Sequence, residues 1–155
     1  MKCCIDVGLK NLAICIMELN NSEYKIHLWD VFDVINENTK INSFLLHDIA
    51  KKIVIKIQEI YDNNIEIFKK LDSVFIELQP KINSRMTFAS HVIFTKFTDL
   101  YKHNQQLKIR FVSASQKLKA YTGPKIHCKL KSKYAARKWL SIQYCKWILE
   151  NKIFN

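Results

Sequence analysis

The sequence is poor in the residues that build nucleotide-binding loops. It holds two glycines, Gly8 and Gly123, and two prolines among 155 residues. A Walker A loop and a GxGxxG fingerprint both need closely spaced glycines for the backbone to approach phosphate, so both are excluded and no nucleotide cofactor is expected. No apolar run approaches the ~18 residues of a membrane span, and no membrane association is expected. Asp6 interrupts any apolar leader, which argues against a signal peptide. There is no CxxC pair, no repeat and no low-complexity linker. The five cysteines are odd in number and sit largely in apolar stretches. They read as small hydrophobes in a reducing, intracellular setting. The five histidines show no zinc-ligand spacing.

What is present is a steep asymmetry of charge. Residues 1–99 carry 12 Lys plus Arg against 13 Asp plus Glu, a net of −1. Residues 100–155 carry 13 basic residues and one acid, Glu150, a net of +12. One third of the chain holds the whole excess, and a polyanion is its natural partner. For a soluble protein that polyanion is most commonly nucleic acid. A basic surface kept for solubility is the alternative.

Length predicts one domain with enough buried surface to fold without metal or disulfide. Residues 2–7, 12–19 and 24–34 read as strands, from apolar and β-branched residues and an approximate period of two. The short connector Gly8-Leu9-Lys10-Asn11 predicts an antiparallel hairpin. A helix is predicted over 43–61, with Phe44, Leu45, Ile49, Ile53, Ile57 and Ile60 on one stripe and Asn42 or Ser43 as cap. A strand follows at 73–78, then a long helix at 83–103 with Met86, Ala89, Ile93, Phe97 and Leu100 aligned. A fifth strand is expected at 107–112. A basic helix is expected at 129–151, with Leu130, Tyr134, Trp139, Ile142, Cys145 and Leu149 on its apolar side. Residues 36–42 read as a loop. The order β-β-β-α-β-α-β-α predicts an α/β fold with a mixed five-stranded sheet flanked by helices. An antiparallel three-strand meander would join two parallel strands.

Two acids lie inside apolar strands: Asp6 in Cys-Cys-Ile-Asp-Val-Gly and Glu77 in Val-Phe-Ile-Glu-Leu-Gln-Pro. A carboxylate there is costly unless paired, hydrogen-bonded or bound to a cation. Taken singly, each has an ordinary reading as the residue that ends a strand before a turn. Taken together on a basic chain, they point to a site for Mg²⁺ or Mn²⁺, whose oxygen preference they match. Divalent ions on shared carboxylates suit in-line phosphoryl displacement.

The run Ile5-Asp6-Val7-Gly8-Leu9-Lys10-Asn11-Leu12-Ala13 resembles the first motif of the poxvirus-type Holliday junction resolvases, in the RuvC-like branch of the ribonuclease H-like superfamily. Ile76-Glu77-Leu78-Gln79-Pro80 before a long helix is similar to their second motif. Val112-Ser113-Ala114-Ser115-Gln116-Lys117-Leu118-Lys119 resembles the strand-loop segment that brings a lysine to the site, and residues 131–147 fit their penultimate helix. The resemblance implies a viral protein acting in DNA recombination and repair, cytoplasmic if viral. It would be a homodimeric, metal-dependent endonuclease on four-way and branched DNA, with two Mg²⁺ (or Mn²⁺) ions per site. Asp6 and Glu77 would be metal ligands. Lys117, or less readily Lys119, would meet the scissile phosphate or the attacking water. Lys10, Asn11, Lys119, Lys129, Lys131, Lys133, Arg137 and Lys138 would contact DNA.

One departure stands out. The family closes its site with further acids on a last helix, and this sequence has no acid between Asp99 and Glu150. Glu150 does not match that motif, and His127 is a loop residue of a type more often solvated than ligating. Two readings follow: a single resolvase domain over 1–155 lacking its last helix, or a natural form that binds DNA without cutting it.

Overall fold

A computed structural model describes residues 1–21, 23–35 and 43–151. The expected loop at 36–42 lies outside the described residues. Three strands open the chain: β1 (Lys2–Asp6), β2 (Leu12–Asn20) and β3 (Glu23–Phe32). Then follow α1 (Leu46–Asn63), the short α2 (Ile65–Phe68), β4 (Ser73–Leu78), α3 (Ser84–Leu100), β5 (Lys108–Ser113), the short α4 (Ser115–Lys119) and α5 (Lys133–Asn151). The sheet order is β3-β2-β1-β4-β5. β1, β2 and β3 pair antiparallel, while β1–β4 and β4–β5 pair parallel. This is the mixed sheet expected from the alternation of the elements.

The period of two decides which face each strand residue serves. In β1, Cys3 and Ile5 are buried, while Lys2, Cys4 and Asp6 look the other way. Val74 and Ile76 of β4, and Leu12, Ile14 and Ile16 of β2, join the buried face. Against it α1 lays Ile49, Ile53, Ile57 and Ile60, and α3 lays Ala89, Ile93 and Phe97. Rings of Tyr61, Phe68, Phe97 and Tyr101 fill the end of this layer, and the Tyr101 hydroxyl donates to the Phe68 carbonyl at 2.7 Å. The β1–β2 turn is tight: a Cβ on Gly8 would stand 2.5 Å from the Asn11 carbonyl oxygen. Backbone cannot yield there, so the turn needs glycine. Among the described residues no helix is long and apolar enough to cross a membrane.

Several expectations are corrected. α1 starts at Leu46 behind Leu45, with no side-chain cap, rather than at Ser43. Residues 115–119, read as part of a strand-loop segment, form the short helix α4. α5 starts at Lys133 rather than Lys129, because Ser132 caps it: its Oγ accepts from the Ala135 amide at 3.4 Å. Lys129 and Lys131 therefore precede the helix. The apolar side expected for α5 is not a core face. No α5 residue is buried, and Tyr134 is 77% exposed.

Candidate active site

Asp6 and Glu77 meet through strand register. Ile5 pairs with Ile76 across the parallel β1–β4 ladder, so the next residues, Asp6 and Glu77, stand side by side. Adjacent strands are ~4.8 Å apart. Both acids fall on the face opposite Ile5 and Ile76, away from α1 and α3. Asp6 is exposed and Glu77 half-buried. The Gln79 side-chain amide donates to Glu77 Oε2 at 3.2 Å and constrains that carboxylate. In open sheets of parallel strands, ligands gather at the strands' carboxyl ends, and both acids lie there.

The same end collects several basic candidates. Lys10 and Asn11 lie in the turn that follows β1. β5 runs parallel to β4, so α4, which follows it, starts at this end of the sheet. A hydroxyl pair, Ser113 Oγ and Ser115 Oγ at 2.9 Å, ties the strand to the helix. α4 carries Lys117 and the exposed Lys119. The Lys117 side chain lies outside the described residues. α5 packs on α4 and presents Lys133, Arg137 and Lys138 to solvent, with Lys129 and Lys131 exposed just before it.

Arg110 is a cation that the sequence reading passed over. It pairs with Phe75, so it shares the acids' face of the sheet. The signal was the alternation of Lys108, Arg110 and Val112 in β5.

The donor set is hard. Cys4 lies two residues before Asp6 on the same face, opposite Cys15 of β2. Burial pushes the Cys15 thiol up to about 11, with Cys4 and Cys145 of α5 adding to the rise. A protonated thiol is a poor metal ligand, so the neighbouring chemistry is that of carboxylate oxygen. Among the described residues no three His, Cys, Asp or Glu side chains are grouped to hold a metal ion. The Asp6–Glu77 pair alone fits one Mg²⁺, which commonly takes one or two carboxylates and completes its shell with water and substrate phosphate.

No protein-family model matches the sequence, and no curated protein matches it. Solved structures do. The yeast mitochondrial Holliday junction resolvase Ydc2 superposes with a TM-score of 0.56 at 16% identity, over 99% of this chain and 65% of the yeast chain. This chain thus spans less than two thirds of that protein. Thermus thermophilus RuvC superposes at 0.57 and 12% identity, over 97% of this chain and 96% of that one. A fowlpox virus resolvase in complex with Holliday junction DNA gives 0.43 at 16% identity, over 97% and 86%, too loose an overlap to argue from. The structural neighbours are Holliday junction resolvases, and the chain has their RuvC-like, ribonuclease H-like fold.

Proposed function

We propose that this chain is a branched-DNA nuclease domain of the poxvirus-type resolvase kind. The observation that carries the reading is the in-register pair Asp6 and Glu77 on one face of adjacent parallel strands. The chain around it carries net +12 over its last third. Asp6 and Glu77 would hold one Mg²⁺ or Mn²⁺ ion, and a second would take its remaining ligands from substrate and water. When bound, the ion makes water attack on phosphorus easier and steadies the leaving 3′-oxygen. Gln79, whose amide donates to Glu77 Oε2, would steady that carboxylate for an ion. Lys117, or failing it Lys119, meets the scissile phosphate. Lys10, Lys129, Lys131, Lys133, Arg137 and Lys138 neutralise the backbone, and Asn11 hydrogen-bonds it. Shape rather than base sequence dominates recognition, because the cations are mostly Lys and lack the Arg fork that reads guanine. A homodimer sets two such sites against the symmetric strands of a four-way junction. The protein works in a reducing, intracellular compartment.

A second reading, a junction-binding protein without cutting activity, is favoured by one observation. No third ligand accompanies the two acids among the described residues. Two carboxylates hold the ion loosely, and an ångström of misplacement can cost ~10²-fold in rate.

A labelled four-way junction decides between them. With EDTA present, the chain is expected to bind the junction more tightly than a linear duplex of the same sequence. With Mg²⁺ or Mn²⁺, slow cutting is expected, lost in Asp6→Asn and in Glu77→Gln while binding persists. Equal affinity for junction and duplex overturns the junction reading. Cutting that survives both substitutions overturns the site. Intact binding with no cutting by the unaltered chain selects the second reading.

A further inference from the structure

The segment between α4 and α5 was expected to become helix at residue 129. It instead alternates in exposure. Lys125, His127 and Lys129 are exposed, while Ile126 and Cys128 between them are half-buried. The alternation ends at Lys129, since Leu130 is 49% exposed and Lys131 after it is exposed as well. A period of two is that of an extended chain, not of a helix. Alternate residues of such a chain repeat every ~6.6 Å. The ~3.4 Å rise per phosphate runs along the helix axis, and the strand winds around that axis, so successive phosphates of one strand stand roughly one such repeat apart. The ribbon therefore repeats its cations at roughly the spacing of successive phosphates on one strand.

A ribbon outside any sheet needs something to hold it, and a ring cluster does so. Tyr121, just before the ribbon, stacks flat on Tyr144 of α5, with centroids 3.9 Å apart and planes 4° apart. It meets Trp147 edge-on at 5.1 Å. Its hydroxyl donates to the Pro124 carbonyl and closes the turn that launches the ribbon. Gly123 fits inside this cluster only because it has no side chain. A Cβ there would stand 2.6 Å from Trp147 Cε2 and 2.7 Å from Tyr121 Cζ.

We propose that Lys125, His127, Lys129 and Lys131 form a preformed track for the phosphates of one DNA strand, held in place by the Tyr121–Tyr144–Trp147 clamp. Fixing the ribbon before DNA arrives removes part of the ordering cost of binding. Tyr121 and Gly123 are positioning residues: they touch no DNA and act by where they hold the lysines. The inference rests on the DNA-binding reading above and adds to it which segment meets the backbone.

The test is the salt dependence of affinity for a fluorescent four-way junction in EDTA. Removing Lys125, Lys129 and Lys131 together by alanine is expected to lower the log–log salt slope by ~0.9 per lost phosphate contact. Removing the same charge at Lys51, Lys69 and Lys70 is expected to leave the slope unchanged. Gly123→Ala keeps every charge. It is expected to alter the near-ultraviolet circular dichroism of the ring cluster, leave the far-ultraviolet spectrum intact, and weaken binding about 10-fold with a lowered slope. A flat salt response of the unaltered chain overturns the DNA-binding reading and the track with it. A steep slope that the triple ribbon variant retains overturns the track alone. A Gly123→Ala chain with a disturbed ring spectrum and an unchanged slope overturns the clamp.

Discussion

Helices α1 and α5 are nearly equal in length, 18 and 19 residues, and both show apolar residues at helical spacing in the sequence. In the fold they do opposite things. α1 presses four isoleucines into the sheet and buries each almost completely, whereas α5 buries no residue fully and leaves Ile142 and Tyr134 exposed. The difference follows the charge. α1 belongs to the nearly neutral first two thirds, where strands and helices cover one another. α5 belongs to the basic last third, where like charges repel and no acid before Glu150 offsets them. A helical stripe shows which residues share a side of a helix, and only a facing partner turns that side into core.

The contrast can be broken most forcefully by truncating one isoleucine on each helix. Ile53→Ala is expected to cost about 2–5 kcal/mol, since Ile53 is 1% exposed within the core. Ile142→Ala is expected to stay within about 0.5 kcal/mol. Urea unfolding of the two variants checks both, and equal losses would mean that α5 is core after all. The next effect lies on the basic side. If about six phosphates are neutralised, DNA affinity should fall ~10³-fold between 50 and 200 mM salt. Charge-removing substitutions on α1 should leave that slope alone.

Within the neutral region, Gly8→Ala is expected to destabilise by about 1–3 kcal/mol, because the new Cβ meets backbone 2.5 Å away. A thermal melt reads it directly. The smallest expected effect concerns pH. The N-terminal ammonium sits 2.8 Å from Asp72 Oδ2, and the Ser73 hydroxyl donates to Oδ1. Led by the bond from the N-terminus, these partners hold the Asp72 carboxyl below the usual range. A depressed folded pKa contributes stability that is present above the unfolded value and is lost as pH falls through the folded one. Asp72→Asn should therefore flatten the acid limb of Tm below about pH 4. The change should be slight, because the side chain is 58% exposed and water screens the pair.

Much of the fold was legible because its signals are local. Alternation in residues 2–7 and 73–78 marked strands, and the isoleucine stripe of α1 marked its buried side. Asp6 and Glu77 stood out because a carboxylate is costly in an apolar strand. Their side-by-side register came from the parallel β1–β4 pairing, which the acids' apolar setting and the family resemblance pointed to, not the element order alone. Other features were hidden for physical reasons. Residues 115–119 make little more than one turn, too short for a helical period to emerge, so α4 was missed. Leu130 happens to fall in phase with the α5 stripe and masked the alternation of 125–129. The cap at Ser132 was the signal that would have separated them. Arg110 escaped notice because only the β4–β5 register shows which face it shares.

The arrangement of the sheet also sets when the candidate site exists. β1, β2 and β3 are joined by short turns, and such local pairings form early and cheaply. Asp6 and Glu77 lie far apart in the chain, separated by β2, β3, α1 and α2. Their strands pair parallel, which requires closing a long loop before any hydrogen bond repays it. A chain that has formed only its first meander holds Asp6 without Glu77. The two carboxylates come together only once that non-local pairing has formed, so on the proposed reading metal affinity at this pair would report that β1 and β4 have met.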